Sequence, residues 1–253
     1  MSSIRRRVAL AAGLAAPAAL AAQTAPAAPA APAAAPAVQL GQYAGALKAG
    51  SWTWSNTLSA NGQTQDFGSR TVTLQKGKAG DTWMLLDAQT NAMVSLSDTL
   101  VMSSSDLGPV SRSFKMDSPM GAANLALTYT PDSVKGALQA PGQSQTIAAK
   151  NVKGALSNDA VLLLALGRMP LATGWTGRLD LLNPANGALL PLTLRVSGTE
   201  KVTVPAGTFD TFVVEMTGGP APVSYYVSKD GPVVRTVQTV PQMGGTMESV
   251  LAK

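Results

Sequence analysis

Short runs in which every second residue is apolar recur along most of this chain, and they restrict it to one kind of architecture. In Leu190 to Ser197, the residues Leu190, Leu192, Leu194 and Val196 alternate with Pro191, Thr193, Arg195 and Ser197. Successive strand side chains point to opposite faces, so such a run makes a strand with one greasy and one wet face. Leu125, Leu127 and Tyr129 alternate in the same way with Asn124, Ala126, Thr128 and Thr130. Val72 and Leu74 oppose Thr71, Thr73 and Gln75, and Trp52 and Trp54 oppose Ser51, Thr53 and Ser55. Repeated one-sided strands of this kind predict an antiparallel sheet.

Turn residues divide the runs. Val204-Pro205-Ala206-Gly207 separates Glu200 to Val204 from Phe209 to Met216, and Ser228-Lys229-Asp230-Gly231 separates Val223 to Val227 from Val233 to Val240. Proline presets the φ of a turn's second position and glycine accepts a positive φ, so both segments read as hairpins. Asn61-Gly62, Lys76-Gly77-Lys78, Pro141-Gly142 and Asn186-Gly187 are further turn signals. The expected fold is therefore mainly β: a curved antiparallel sheet or half-barrel meander.

One segment departs from the period of two. Ser157-Asn158-Asp159 offers capping oxygens, Ala160 to Leu166 is wholly apolar, and Gly167, Arg168 and Pro170 follow as stop signals. This predicts one short helix from about Asn158 to Arg168, with a central strand as the alternative. A helix apolar all round must be buried all round, and the concave face of the sheet would supply that environment.

The first forty residues belong to a different regime. Arg5-Arg6-Arg7, an apolar run from Val8 to Ala22 and Ala19-Leu20-Ala21 are the parts of a secretory signal peptide, expected over residues 1–21. The run is shorter than the roughly 20 residues of a membrane span and holds Gly13 and Pro17. An uncleaved anchor is the alternative, and the paired arginines leave the export route open. Residues 22–39 are nearly all Ala and Pro, with Pro26, Pro29, Pro32 and Pro36, and predict a disordered linker of extended polyproline character. Residues 40–253 are expected to form a single β-rich domain in the periplasm or outside the cell, with no transmembrane anchor after processing.

Composition excludes several chemistries. The chain has no Cys and no His, which removes lipidation at cysteine, the commonest base near neutral pH and the commonest transition-metal ligand. Its net charge of +5 is inflated by Arg5, Arg6 and Arg7; setting them aside, the excess of basic over acidic residues is two. No block of five or more like charges is present to follow a phosphate backbone, so nucleic acid is not an expected partner. There is no Gly-x-Ser-x-Gly elbow, no Asp-x-Asp loop, no EF-hand spacing and no glycine-rich phosphate loop before a helix. The chain is thus expected not to be an enzyme, with no catalytic residue, metal or cofactor.

Val202-Thr203-Val204-Pro205-Ala206-Gly207-Thr208-Phe209, followed by Tyr225-Tyr226-Val227-Ser228-Lys229-Asp230-Gly231, resembles exported bacterial proteins grouped as domain of unknown function 3108. Leu156-Ser157-Asn158-Asp159 and Leu171-Ala172-Thr173-Gly174-Trp175 fit the helix and following strand of that group, although Tyr226 stands where Trp is more usual. The resemblance spans about Leu156 to Val240. It implies a curved antiparallel sheet, similar in shape to periplasmic lipoprotein carriers, with a helix on the concave side. It carries over no catalytic residue.

Two functions follow. In the first, the concave face holds a lipid or other apolar small molecule, lined by Trp52, Trp54, Leu125, Leu127, Trp175, Leu192 and Leu194, and a cavity of several hundred Å3 is expected. In the second, the core is packed and the chain is a non-enzymatic envelope interaction or assembly module that engages an envelope protein through a strand edge or the linker. Arg178, Arg195 and Arg235 are expected either to converge on an anionic head group or, solvated, to pair with Asp180, Glu200 or Glu215.

Overall fold

The computed structural model describes residues 35–252 apart from Ala79, Pro184, Ala185 and Asp230. The expected signal peptide and residues 22–34 of the expected linker lie outside the described residues.

Fourteen strands form one antiparallel sheet. The first eight are β1 (Gly50–Ala60), β2 (Gln63–Lys76), β3 (Thr82–Thr90), β4 (Ser95–Ser103), β5 (Pro109–Ser118), β6 (Gly121–Tyr129), β7 (Ser133–Ala140) and β8 (Gln143–Lys150). A helix, α1 (Asp159–Leu166), follows. The last six are β9 (Thr176–Leu182), β10 (Leu189–Val204), β11 (Gly207–Thr217), β12 (Val223–Ser228), β13 (Val233–Val240) and β14 (Gly245–Leu251). Each half is a meander, and the halves join where β1 pairs with β14. The sheet order runs from β8 through β1 and β14 to β9, so β8 and β9 are its two edges.

The sheet is curled but not closed. Thirteen strand spacings would put its edges about 60 Å apart if it were flat. Instead Leu182 of β9 packs in one apolar cluster with Leu125, Leu127, Tyr129, Val134 and Ile147 of β6 to β8. Register shifts at Ser55/Thr57, Val101/Met102, Val196/Gly198 and Tyr226/Val227 add bend and twist to the strands that carry them.

The larger cluster occupies the concave side. Val72, Leu74, Leu85, Leu100 and Met102 meet Leu192, Leu194, Val196, Val214 and Val234 around α1. The helix starts where its sequence predicts: Asn158 is the N-cap, and its Oδ1 accepts from the Ala160 N–H at 2.6 Å. Six of its eight residues are buried, as a helix without a polar face requires.

Two boundaries differ from expectation. Leu190 to Ser197 and Glu200 to Val204 are parts of one 16-residue strand, β10, which passes through the bulge at Gly198 without a turn. Residues 36–39, assigned by composition to the linker, instead dock on the edge of β9. Arg178 N–H donates to the Pro36 carbonyl at 2.8 Å and the Val38 N–H to the Arg178 carbonyl at 2.8 Å. Burial of the Val38 side chain beside Gly177 favours that pairing. Leu156 covers β9 further along by a bridge to Leu181. β8, at the other end of the strand order, pairs with β7.

Candidate binding site

Two features stand out on the inner side of the sheet: a layer of buried charge around the start of α1, and a cavity beside it.

The charged layer comes from strand parity. Arg70 shares the inner face of β2 with Val72 and Leu74, Asp87 that of β3 with Leu85, Asp98 that of β4 with Leu100, and Arg112 lies on β5 opposite Leu100. Arg70 grips Asp87 with Nε at 2.9 Å and Nη2 at 2.7 Å, and reaches both oxygens of Asp159 at 3.0 Å. Arg112 holds Asp98 through Nε at 2.9 Å and Nη2 at 2.6 Å, and its Nη1 donates to the Ser157 carbonyl. Asn158 closes the circuit by donating to Asp98 Oδ2 at 2.7 Å. The side chains of Asp87 and Asp98 are only 3% and 2% exposed, while that of Asp159 is 54% exposed.

Burial raises the Asp87 carboxyl pKa above its ordinary value, with the Arg70 charge opposing. At Asp159 burial pushes upward too, but Arg70 and then Arg112 hold the group below the ordinary value. Burial also works against the Arg70 charge, and Asp159 and Asp87 together outweigh it, so its pKa is raised. Buried ions that are paired and hydrogen-bonded on both sides fix geometry more than they add stability. Here they pin the N-terminus of α1 to β2 through β5.

The cavity has a volume of about 780 Å3. Residues 37–42, the β4–β5 connection, the β6–β7 turn, residues 152–157 and β9 surround it, and Val161 of α1 contributes to its lining. Leu40, Leu107, Val152, Leu156 and Leu179 give it apolar walls; Val110 stands at its edge, 43% exposed. Leu107 adopts φ 58°, a left-handed conformation that costs a non-glycine residue about 1–2 kcal/mol, yet it is 93% removed from solvent. Asp106 in the same connection is engaged by the Gly108 N–H at 3.0 Å and by Ser103, which hold its carboxyl below the ordinary range.

Tyr129 is the unusual member of the lining. It is 8% exposed, and its hydroxyl is buried without a hydrogen-bond partner among the described residues. Ser157 is close to the phenol but outside hydrogen-bonding geometry. Burial pushes the phenol pKa up to about 12, opposed by the Arg112 charge and by Ser157. A buried hydroxyl left unpaired costs roughly 1–3 kcal/mol, so it marks a place where a partner is missing.

The residues expected to line a ligand site lie elsewhere. Trp54, Leu192 and Leu194 are buried in the large cluster, with the Trp54 ring N–H donating to the Val233 carbonyl at 3.0 Å. Trp52 and Trp54 border a void of only about 40 Å3 beside Leu163 and Leu164. Leu125 and Leu127 belong to the smaller cluster. Trp175 packs over Gly177 and Val38 at the edge of β9. None of the seven lines the 780 Å3 cavity. Of the three arginines, Arg235 pairs with Glu248 and, at 4.0 Å, with Glu200, one of the expected partners. Arg178 lines the cavity.

Sequence reasoning missed Arg70, Asp87, Asp98, Arg112 and Tyr129 as site residues. Their signal was parity: each occupies an inward position of an alternating strand, where a charged or phenolic group is out of place. Among the described residues, no group of three or more acidic, His or Cys side chains is arranged to hold a metal ion. No described helix is long and apolar enough to cross a membrane.

Comparison with known proteins agrees with the architecture. A family model described as "Protein of unknown function (DUF3108)" matches residues 42–250, well beyond the span of the sequence resemblance. No curated protein matches the chain. Among solved structures, a β-barrel-like protein of domain of unknown function DUF1849 from Brucella abortus aligns with TM-score 0.56 and 10% identity, over 82% of this chain and 97% of that one. A protein with a YmcC-like fold from Bacteroides fragilis aligns with TM-score 0.31 and 13% identity, over 82% and 96% of the two chains. A DUF1329 family protein from Desulfovibrio piger aligns with TM-score 0.31 and 12% identity, over 84% and 88%. The first of these is similar in fold.

Proposed function

The chain belongs to the DUF3108 family, and on that premise we propose that it is an exported, non-enzymatic binding protein that holds a lipid or other apolar ligand on the concave side of its curled sheet. The observation that carries this reading is the 780 Å3 cavity, whose walls include Leu107, Leu156 and Leu179 and which keeps an unpaired phenol. Its volume lies within the roughly 300–1,000 Å3 of small-molecule sites. Trp52, Trp54, Leu192 and Leu194 serve in this reading as packing around α1, and Leu125 and Leu127 as packing in the smaller cluster. Export rests on the basic, apolar and Ala-x-Ala pattern of the N-terminus.

The test is titration of the purified, delipidated chain with an apolar fluorophore whose emission rises in a dry environment. The expected result is saturable binding that Val110→Trp weakens by filling the cavity from its exposed edge. Absence of saturable binding, or an equal affinity in Val110→Trp, would overturn the reading.

A second reading, the envelope interaction module, draws on β8 (Gln143–Lys150), which stands at one end of the strand order. Edge strands are templates for strand addition. Under that reading a proline at Thr146 would abolish complex formation and leave fluorophore binding unchanged.

A further inference from the structure

We propose that the ligand of the cavity is a single-chain amphiphile with an anionic head group, held by Tyr129, Arg178 and Lys153 while its chain lies against Leu107, Leu156, Val161 and Leu179. The inference rests on the proposed function and names the ligand class for the same site.

Three observations carry it. The first is Tyr129, which lines the cavity and whose hydroxyl is buried and, among the described residues, has no hydrogen-bond partner. Because the phenol stays protonated at neutral pH, it has a hydrogen to donate, and an acceptor on a ligand would satisfy it. The second is the state of the lining cations. Arg178 and Lys153 are exposed and, among the described residues, neither has a carboxylate within ion-pair distance. Arg178 is fixed at its backbone by Pro36 and Val38 on one side of the cavity, which holds its position without engaging the guanidinium.

The third is the state of the acids. Asp106 and Asp180 also line the cavity. The Asp106 carboxylate accepts the Gly108 N–H at 3.0 Å and feels the Lys153 charge without an ion pair to it. Hydrogen-bond donors thus remain free in this lining while one of its two acids is already satisfied. An apolar wall with free donors at its polar side matches an acyl chain ending in a carboxylate or a phosphate.

Palmitate, lysophosphatidylglycerol and hexadecanol titrated separately into the delipidated chain distinguish the possibilities. The expected result is that at least one of the two anions binds about tenfold or more tightly than hexadecanol. Preference for palmitate identifies a carboxylate head and preference for the lysophospholipid a phosphate head; both support the proposal. Tyr129→Phe, which keeps the ring, and Arg178→Gln, a surface change that spares the fold, should each narrow that gap. Equal binding of hexadecanol, with both variants unchanged, would overturn the head-group assignment and leave the apolar carrier standing. Binding of none of the three would overturn both.

Discussion

Asp87 and Asp98 stand directly opposite one another across β3 and β4, two nearly inaccessible carboxylates in a cross-strand pair. Like charges so placed repel, and the arrangement persists because each is gripped from the strand on its far side, Asp87 by Arg70 and Asp98 by Arg112. The two arginines then extend to α1, one to Asp159 and the other to the Ser157 carbonyl. The helix that fills the bowl is thereby tied to the half of the sheet that precedes it in sequence.

Removing one partner of this layer should be far worse than removing two. Arg112→Met leaves Asp98 buried, without its counter-ion and facing Asp87, and is expected to cost about 3–5 kcal/mol. Arg112→Met combined with Asp98→Leu removes both charges and should recover most of that loss. Urea unfolding of the single and double variants measures the difference.

The acid limb of stability should depend on Asp159. Its folded pKa is held below the ordinary 3.8, so it contributes stability above that pH and loses it as pH falls through the folded value. Asp87, shifted upward, acts in the opposite sense: its contribution grows as pH falls from its folded pKa towards 3.8. In Asp159→Asn the first contribution disappears, so stability near neutral pH drops by about 1 kcal/mol or less, the side chain being half exposed. The decline below pH 3.8 should become shallower, as thermal unfolding followed across the acid range would show.

The N-cap is a second point of attachment. Asn158→Ala deletes both the bond from the Ala160 N–H and the bond to Asp98. A lost N-cap alone costs about 1 kcal/mol, and the unmet Asp98 oxygen adds to it. Hydrogen exchange at the amides of α1 should accelerate more than at those of β10.

Close strand approach predicts a backbone-sensitive position. A Cβ on Gly136 of β7 would lie 1.9 Å from the Ala126 carbonyl oxygen of β6. Gly136→Ala should therefore destabilise the chain markedly, whereas Gly198→Ala, whose Cβ would meet nothing within 4 Å, should be tolerated. Parallel denaturation curves of the two variants make the comparison.

Much of the fold was legible in the sequence because alternation and turn chemistry are local. Leu192, Leu194, Leu125 and Leu127 all face inward as their parity requires, and the Val204–Gly207 turn and the Asn158 cap fall where propensity puts them. The fusion of two runs into β10 was hidden because the bulge at Gly198 imitates a turn. Docking of Val38 was hidden because Ala/Pro composition says nothing of tertiary pairing. The cavity was the least legible feature: five separate stretches and the helix enclose it, and no single stretch of sequence shows that they meet. Trp52, Trp54 and Trp175 attracted attention by size, but size is also what core packing selects.

Native mass spectrometry of the chain purified from its own host, before and after solvent extraction, tests the carrier function most directly. The account predicts extractable adducts with the mass of one acyl-chain amphiphile per chain, absent from Val110→Trp. A clean apo mass in both proteins under conditions that retain bound lipid would contradict it.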